Sequence, residues 1–172
     1  MESNQNFKEV IKIPLEDTFN GAKNAFILLD AFINTVVKAD GQEKAYNMIE
    51  ETCRNMGALQ GRMSKSQARR EKIKEMNPKN ASLLASGAIK GFGIETEILK
   101  ESDEKVNIKV SKCPVYEAAK MMGLDPESFC RRSAIPFMNS LVKELSPNLQ
   151  YELEKFRTGQ DDFCEESIVL IK

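Results

Sequence analysis

The N-terminal half of the chain carries the hydrophobic spacing of long amphipathic helices. Across residues 18–38, apolar side chains recur at steps of three and four, which predicts a long helix with a broad buried face. A second helical segment starts after Gly41, and Gly57 is a natural end for it. Residues 62–75 then carry six basic side chains, which predicts a locally cationic helix with a solvated face rather than a phosphate site.

The period of the pattern changes further along the chain. Asn77 and Pro78 predict the start of another helix, which should run to the glycines at 91 and 93. Residues 94–99 and 105–111 are short extended runs separated by a charged tetrad, and the second run alternates strictly between apolar and polar residues. We expect these two runs to form a β-hairpin.

Two helices and two more strands complete the predicted order of elements. Pro114 and Pro126 each stand at the first position of a helix, and Pro136 should break or kink the second one. Residues 149–157 and 163–171 predict the last two strands. The sequence therefore predicts one α+β domain, in which a helical half (1–92) packs on a sheet half (93–172). The sheet should be four-stranded and mostly antiparallel, with inserted helices.

Composition and charge restrict the partners and the chemistry. The chain has 25 Lys+Arg against 26 Asp+Glu, so no net field directs it to nucleic acid or to an anionic membrane. The longest apolar run, residues 25–29, is far too short to span a bilayer, and the polar start at residues 1–6 is not typical of a signal peptide. We expect a cytoplasmic protein. The absence of histidine excludes Ser-His-Asp and Cys-His catalysis and HExxH zinc sites.

With histidine absent, cysteine is the remaining candidate for a nucleophile or metal ligand. The four cysteines are widely spread, and no CxxC pair occurs among them. Cys113 lies between a predicted strand and a helix that starts at Pro114, where helix N–H groups and the macrodipole should lower the pKa of a thiol. Cys113 is therefore a candidate nucleophile or metal ligand. The alternative is an inert thiol at a helix cap.

Two further cysteines lie in the same half of the chain. Cys130 precedes Arg131 and Arg132, which could bind a carboxylate or simply be solvated. Cys164 lies in an acidic stretch, so it is a better metal ligand than nucleophile. If Cys113, Cys130 and Cys164 meet at one edge of the sheet, three thiolates and a water could bind zinc or iron. Spacing alone leaves this convergence open.

Several motifs from Lys112 onward resemble a known family. They are KCPVYEAA at residues 112–119, GL at 123–124 with Cys130 after it, LQYEL at 149–153, RTG at 157–159 and DFCE at 162–165. Together they resemble the L-2-amino-thiazoline-4-carboxylic acid hydrolase family over residues 20–171. The pattern is also similar to that of vinyl-4-reductase-type sensor domains.

The resemblance implies a reaction and roles for particular residues. A hydrolase of this kind opens the thiazoline ring by attack at its C=N carbon, with Cys113 as nucleophile or metal ligand and Cys130 and Cys164 around it. The substrate carboxylate would bind Arg131, Arg132 or Arg157, with Tyr116 in the same substrate-binding set. The alternative is a non-catalytic sensor or accessory domain that holds a small ligand or metal in the same cysteine-lined site. The long amphipathic helices also suit a homodimer.

Overall fold

The computed structural model describes residues 14–171. The polar start at residues 1–6, which the sequence reading took as no signal peptide, lies outside the described residues. The chain folds into the predicted α+β arrangement, with a helical N-terminal half and a four-stranded antiparallel sheet. The elements are α1 (Leu15–Asp40), α2 (Gln42–Arg70), α3 (Pro78–Lys90), β1 (Glu95–Glu101), β2 (Lys105–Lys112), α4 (Pro114–Met121), α5 (Pro126–Arg132), α6 (Ala134–Leu145), β3 (Leu149–Lys155) and β4 (Cys164–Leu170). None of the described helices combines the length and apolar character needed to cross a membrane.

The sheet has the strand order β1-β2-β4-β3, so the predicted hairpin β1–β2 forms one side and β4 pairs with both β2 and β3. In β2, Val106, Ile108 and Val110 are buried and alternate with more exposed residues, as their spacing predicted. β1 is exposed along its whole length, whereas β3, the other edge strand, buries Leu149 and Tyr151. The helices therefore pack on the central and β3 side of the sheet.

Local signals placed several helix starts correctly. The Asn77 side chain accepts a hydrogen bond from the N–H of Asn80 at 3.0 Å, and Pro78 opens α3. The Asp125 side chain accepts one from the N–H of Ser128 at 2.8 Å at the start of α5. Cys113 is the N-cap residue of α4, as predicted.

The prediction that α2 ends at Gly57 is wrong, because α2 continues to Arg70. Gly57 and Gly61 are buried on the side of α2 that crosses α6. A Cβ at Gly57 would meet the carbonyl oxygen of Phe137, and one at Gly61 would lie 2.6 Å from the carbonyl oxygen of Leu141. These glycines therefore let two helices pack closely instead of ending one. The cationic helix predicted over residues 62–75 is the last part of α2, and its helical part stops at Arg70.

The sequence predicted a helix break or kink at Pro136, but the helix is interrupted three residues earlier, at Ser133. Ser133 has non-helical backbone angles and separates α5 from α6, and its hydroxyl donates to the carbonyl of Phe129 at 2.6 Å. Pro136 then falls in the first turn of α6, where a missing N–H costs nothing.

The core consists of two clusters of buried side chains. One lies between the sheet, α3 and α6 and includes Leu141 and Ile168. The other lies between α1, α2, α4 and α5 and includes Tyr46 and Phe129. Cys113 packs against both clusters, at the junction between the helical half and the sheet.

Candidate ligand-binding cavity

A cavity of about 360 Å³ lies where the two core clusters meet. All six described helices and three of the strands contribute to its wall, which is almost entirely carbon and sulfur. This volume is in the range of small-molecule sites, which are mostly apolar with a few placed polar groups. The lining residues are Phe26, Leu29, Ile49, Thr52, Cys53, Met56, Ile89, Phe92, Ile94, Val110, Cys113, Val115, Tyr116, Phe129, Cys130, Ser133, Ala134, Ile135, Phe137, Met138, Tyr151, Phe156, Cys164 and Glu166.

All four cysteines line this cavity. Cys113 reaches it from the N-cap of α4 and Cys130 from α5. Cys164 is the first residue of β4 and pairs with Val110 of β2, which is also part of the wall. The structure thus brings Cys113, Cys130 and Cys164 to one site, and it adds Cys53 from α2, for which the sequence predicted no role.

The N–H groups at the start of α4 lower the pKa of Cys113 as expected, but burial of the thiol outweighs them, so the pKa is raised and not lowered overall. Burial raises the pKa of the Cys113 thiol to about 11, and the N–H groups of Tyr116 and Val115 offset only part of that rise. Burial also raises the pKa of Cys53 to about 11 and that of Cys130 well above its ordinary value. At all three sites burial disfavours the thiolate, which is the reactive form of cysteine.

The polar feature of the wall is a tyrosine–carboxylate pair. The Tyr151 hydroxyl donates a hydrogen bond to the Glu166 carboxylate, and both residues line the cavity. Burial raises the pKa of Glu166, while the hydrogen bond from Tyr151 and the charge of Arg157 act against that rise. Burial and the neighbouring Glu166 raise the pKa of Tyr151 well above its ordinary value.

Sequence reasoning missed this pair, although the signal was present. Glu166 has the same strand parity as Cys164 and Ile168, which face the core. A carboxylate at a core-facing position of a strand is unusual enough to mark a site. Tyr151 lies two residues after the buried Leu149 on β3, so both side chains face the core side of the sheet.

Arg157 is the predicted substrate-binding arginine that lies beside the cavity. It is buried, its Nη2 donates to the carbonyl oxygen of Val110 at 2.5 Å, and its guanidinium carbon lies 4.8 Å from the centre of the Tyr116 ring. Tyr116 and Val110 both line the cavity. Among the described residues, Arg157 Nε has no hydrogen-bond partner. Arg157 therefore lies behind the lining residues of the cavity, and its Nε–H is a donor that no described residue accepts.

The structure does not bring Arg131 or Arg132 to the cavity. Arg131 forms an exposed ion pair with Glu127 at 2.7 Å, one turn away on the same helix. Arg132 reaches α2, where its Nε lies 3.0 Å from a carboxylate oxygen of Glu50 and its Nη2 lies 3.2 Å from one of Glu43. Both arginines therefore form ion pairs at the protein surface and do not contact the cavity.

The predicted zinc or iron site has no ready-made set of ligands. Within residues 14–171, no group of three or more Cys, Asp or Glu side chains is arranged to hold a metal ion. Cys113, Cys130 and Cys164 share the cavity but not such an arrangement. Elemental analysis of the purified protein tests this prediction directly.

Comparison with known proteins now identifies the family. A family model described as L-2-amino-thiazoline-4-carboxylic acid hydrolase matches residues 21–165. The chain belongs to this family. The resemblance drawn from the motifs after Lys112 is therefore confirmed, and the match also covers α2 and most of α1. No curated protein matches the sequence.

Two solved structures share the fold of this family member. One is the phenol-responsive sensory domain of the transcription activator PoxR with phenol, at 11% identity and a TM-score of 0.58, covering 84% of this chain and 74% of that one. The other is a trafficking protein particle complex subunit 3 from Naegleria fowleri covalently bound to palmitic acid, at 17% identity and a TM-score of 0.56, covering 87% and 97%. At these identities the likeness concerns the fold alone.

Proposed function

We propose that this protein binds a small, mainly apolar molecule in the cavity between its helices and its sheet. The observation that carries the proposal is an apolar cavity of about 360 Å³ with one buried tyrosine–carboxylate pair in its wall. Water finds few hydrogen-bond partners in such a cavity. An apolar ligand is favoured there because binding removes both its own apolar surface and that of the wall from water.

The polar pair suggests which ligands the cavity favours. Glu166 can accept a hydrogen bond from a ligand hydroxyl or amine, and Tyr151 holds the carboxylate in place. A ring with a single donor group meets both requirements, because its apolar part contacts the wall while its donor reaches Glu166. The sensory domain of PoxR, which has the same fold, was solved with phenol, a molecule of this kind.

Binding of substituted aromatics to matched variants tests this proposal. We expect saturable binding by calorimetry for a panel of single-ring phenols and anilines, and weaker binding for toluene, which has no donor. Glu166→Gln should weaken the phenol complex about 5- to 10-fold, because a charge-assisted hydrogen bond is lost. Glu165→Gln is the matched control, because Glu165 is the neighbouring residue on β4 and accepts instead from Asn107 at 2.9 Å.

Two results would overturn the binding proposal. One is the absence of saturable binding by every member of the panel at millimolar concentrations, together with no co-purified small molecule in native mass spectra. The other is an equal loss of affinity in the Glu166→Gln and Glu165→Gln variants, which would place the ligand elsewhere.

Ring-opening hydrolysis is a second candidate, and the family match favours it. The Cys113 thiol would add to the C=N carbon of the thiazoline while Glu166 takes the thiol proton and passes it to the ring nitrogen. The ring C–N bond of the adduct would then break, with the nitrogen leaving as the amine of the opened ring, and water would add to the same carbon and release Cys113 as the free thiol. Arg157 would hold the substrate carboxylate once its side chain turns from its place behind the wall. The raised pKa of Cys113 opposes the thiol addition until a substrate changes the surroundings of the thiol.

Turnover of L-2-amino-thiazoline-4-carboxylate separates the two candidates. If the protein is a hydrolase, it should release the ring-opened product, and Cys113→Ser should abolish the release. Turnover at the wild-type rate in Cys113→Ser would remove Cys113 from the reaction. If the protein only binds its ligand, the thiazoline should be recovered intact from wild-type protein.

A further inference from the structure

The cavity is larger than a single-ring ligand needs. A cavity of about 150 Å³ lined by aliphatic and aromatic side chains is enough to bind benzene. The volume here is about 360 Å³, which is more than twice as large. A ligand of one ring would leave part of the wall facing a void, where its atoms lose dispersion contacts. The volume therefore fits a ligand of about 14 non-hydrogen atoms better than one of seven.

The side of the cavity formed by the sheet is closed. Val110 of β2 pairs with Cys164 of β4, Tyr151 of β3 lies on the other side of β4, and all three residues are buried. Glu166 lies on the same strand as Cys164, two residues further along, and accepts the hydrogen bond from Tyr151. The tyrosine–carboxylate pair therefore lies at the closed side.

The cavity reaches the protein surface on the side formed by the helices. Of the described residues that line it, three are exposed, namely Thr52 and Met56 on α2 and Phe92 in the turn after α3. Met56 is 52% exposed and Phe92 38%. We call these three residues the opening. Because α2 packs mainly on other helices and β4 lies in the middle of the sheet, the opening and Glu166 are on opposite sides of the cavity.

Given the binding function proposed above, on which this inference rests, we propose that the ligand is an elongated amphiphile. Its head is a ring with a hydroxyl or amine that donates to Glu166, and its tail is an alkyl chain of about six to eight carbons. The tail extends across the apolar wall to the opening beside Met56. Each methylene that enters the cavity removes apolar surface from water, so affinity rises with tail length until the tail reaches the opening.

Calorimetric titration of the full chain with a series of 4-alkylphenols tests the length of the tail. We expect the dissociation constant to fall about 3- to 4-fold for each added methylene, with one molecule bound per chain at every length. The fall should end at about eight carbons, where further methylenes stay in water. Octylbenzene has the same tail as 4-octylphenol but no donor, so it should bind more weakly.

Two methionines of α2 provide matched variants that locate the end of the tail. Met56 belongs to the opening, whereas Met48 is 50% exposed on the same helix and does not line the cavity. Both side chains are half exposed, so a glutamate at either position should leave the circular dichroism spectrum unchanged. Met56→Glu should weaken binding of 4-octylphenol about 5-fold more than that of 4-ethylphenol, because only the longer tail meets the new charge. Met48→Glu should leave the ratio of the two dissociation constants unchanged.

The outcomes separate the elongated ligand from the binding function itself. Saturable binding of phenol with no gain along the series would overturn the elongated ligand and leave the binding function standing. Two phenol molecules per chain would do the same, and so would a gain that continues well beyond about eight carbons. An equal change of the ratio in Met56→Glu and Met48→Glu would place the tail elsewhere and overturn the proposed direction. No binding by any member of the series would overturn the binding function, and the elongated ligand with it.

Discussion

Tyr151 and Glu166 meet diagonally across two neighbouring strands. Tyr151 of β3 pairs with Ile168 of β4, two residues beyond Glu166, and its hydroxyl reaches back to the Glu166 carboxylate. Diagonal neighbours of this kind are within reach of an aromatic side chain. The sheet therefore fixes a hydrogen-bonding group inside an otherwise apolar cavity, and rigid strands hold it in place.

The cavity thiols should react slowly with alkylating reagents. Burial raises the pKa of both Cys53 and Cys113 to about 11, so little thiolate is present at neutral pH. Because a free cysteine has a pKa of about 8.5, we expect alkylation by iodoacetamide to be roughly 100-fold slower than that of free cysteine. Peptide mapping by mass spectrometry measures each site, and a bound ligand should slow the reaction further. Alkylation of Cys113 at the rate of free cysteine would reveal an activated thiol and favour hydrolysis.

Asp30 should make the protein less stable as the pH rises. Its side chain is fully buried, and neither carboxylate oxygen has a hydrogen-bond partner among residues 14–171. Burial raises its pKa to about 7, so the folded state retains a proton that the unfolded chain loses near pH 4. Between these values the folded state binds more protons, and Asp30 should lower the free energy of unfolding by about 1.4 kcal/mol for each pH unit.

Asp30→Asn should remove this dependence. Urea unfolding should be measured at several values between pH 4 and pH 8. The free energy of unfolding of the variant, relative to that of the wild type, should increase with rising pH by up to about 4 kcal/mol. Asp40→Asn is the matched control, because Asp40 lies on the same helix in an exposed pair with Lys44. A constant difference between Asp30→Asn and wild type at all pH values would contradict the account.

Arg157 should contribute to stability far more than Arg131. Arg157→Met removes a buried donor from the Val110 carbonyl and a cation from the Tyr116 ring, and we expect a loss of about 2–4 kcal/mol. Arg131→Met removes an exposed pair within one helix, which should cost under about 0.5 kcal/mol. Chemical unfolding of both variants measures the difference, and equal losses would be contrary to the geometry.

The two glycines of α2 that face α6 should not tolerate a side chain. A Cβ at Gly57 would collide with the Phe137 carbonyl, so Gly57→Ala should cost about 1–3 kcal/mol or more. Gly87→Ala is the control, because nothing lies within 4 Å of its Cβ position in α3, and it should stabilise by about 0.5–1 kcal/mol. Thermal unfolding reports both, and an unchanged melting temperature for Gly57→Ala would argue against close packing of α2 on α6.

Local patterns in the sequence predicted most of the fold. Capping residues and prolines at Asn77–Pro78, Cys113–Pro114 and Asp125–Pro126 placed three helix starts, and strict alternation placed β2. The errors arose where a distant contact decides the role of a residue. Gly57 looks like a helix end in the sequence, and only its contact with Phe137 of α6 shows that it is a crossing point.

The candidate site was only partly accessible from the sequence. Motifs that contain Cys113, Cys130 and Cys164 led to the family and to one side of the cavity wall, whereas the wall residues from α1, α2 and α3 were not predicted. The pKa of Cys113 could not be predicted, because it depends on burial by two core clusters that meet only in the fold. Likewise, Arg131 and Arg132 look equivalent to Arg157 along the chain, and the folded contacts distinguish them.

The most direct test of the central claim is a methyl NMR titration of protein with ¹³C-labelled methionine methyl groups, using phenol as the ligand. Met138 is buried and lines the cavity, whereas Met121 is 66% exposed and does not line it. If the cavity binds the ligand, the Met138 signal should shift saturably while the Met121 signal stays in place, and Glu166→Gln should weaken the midpoint. An unchanged Met138 signal, or equal linear shifts at both residues, would contradict the account.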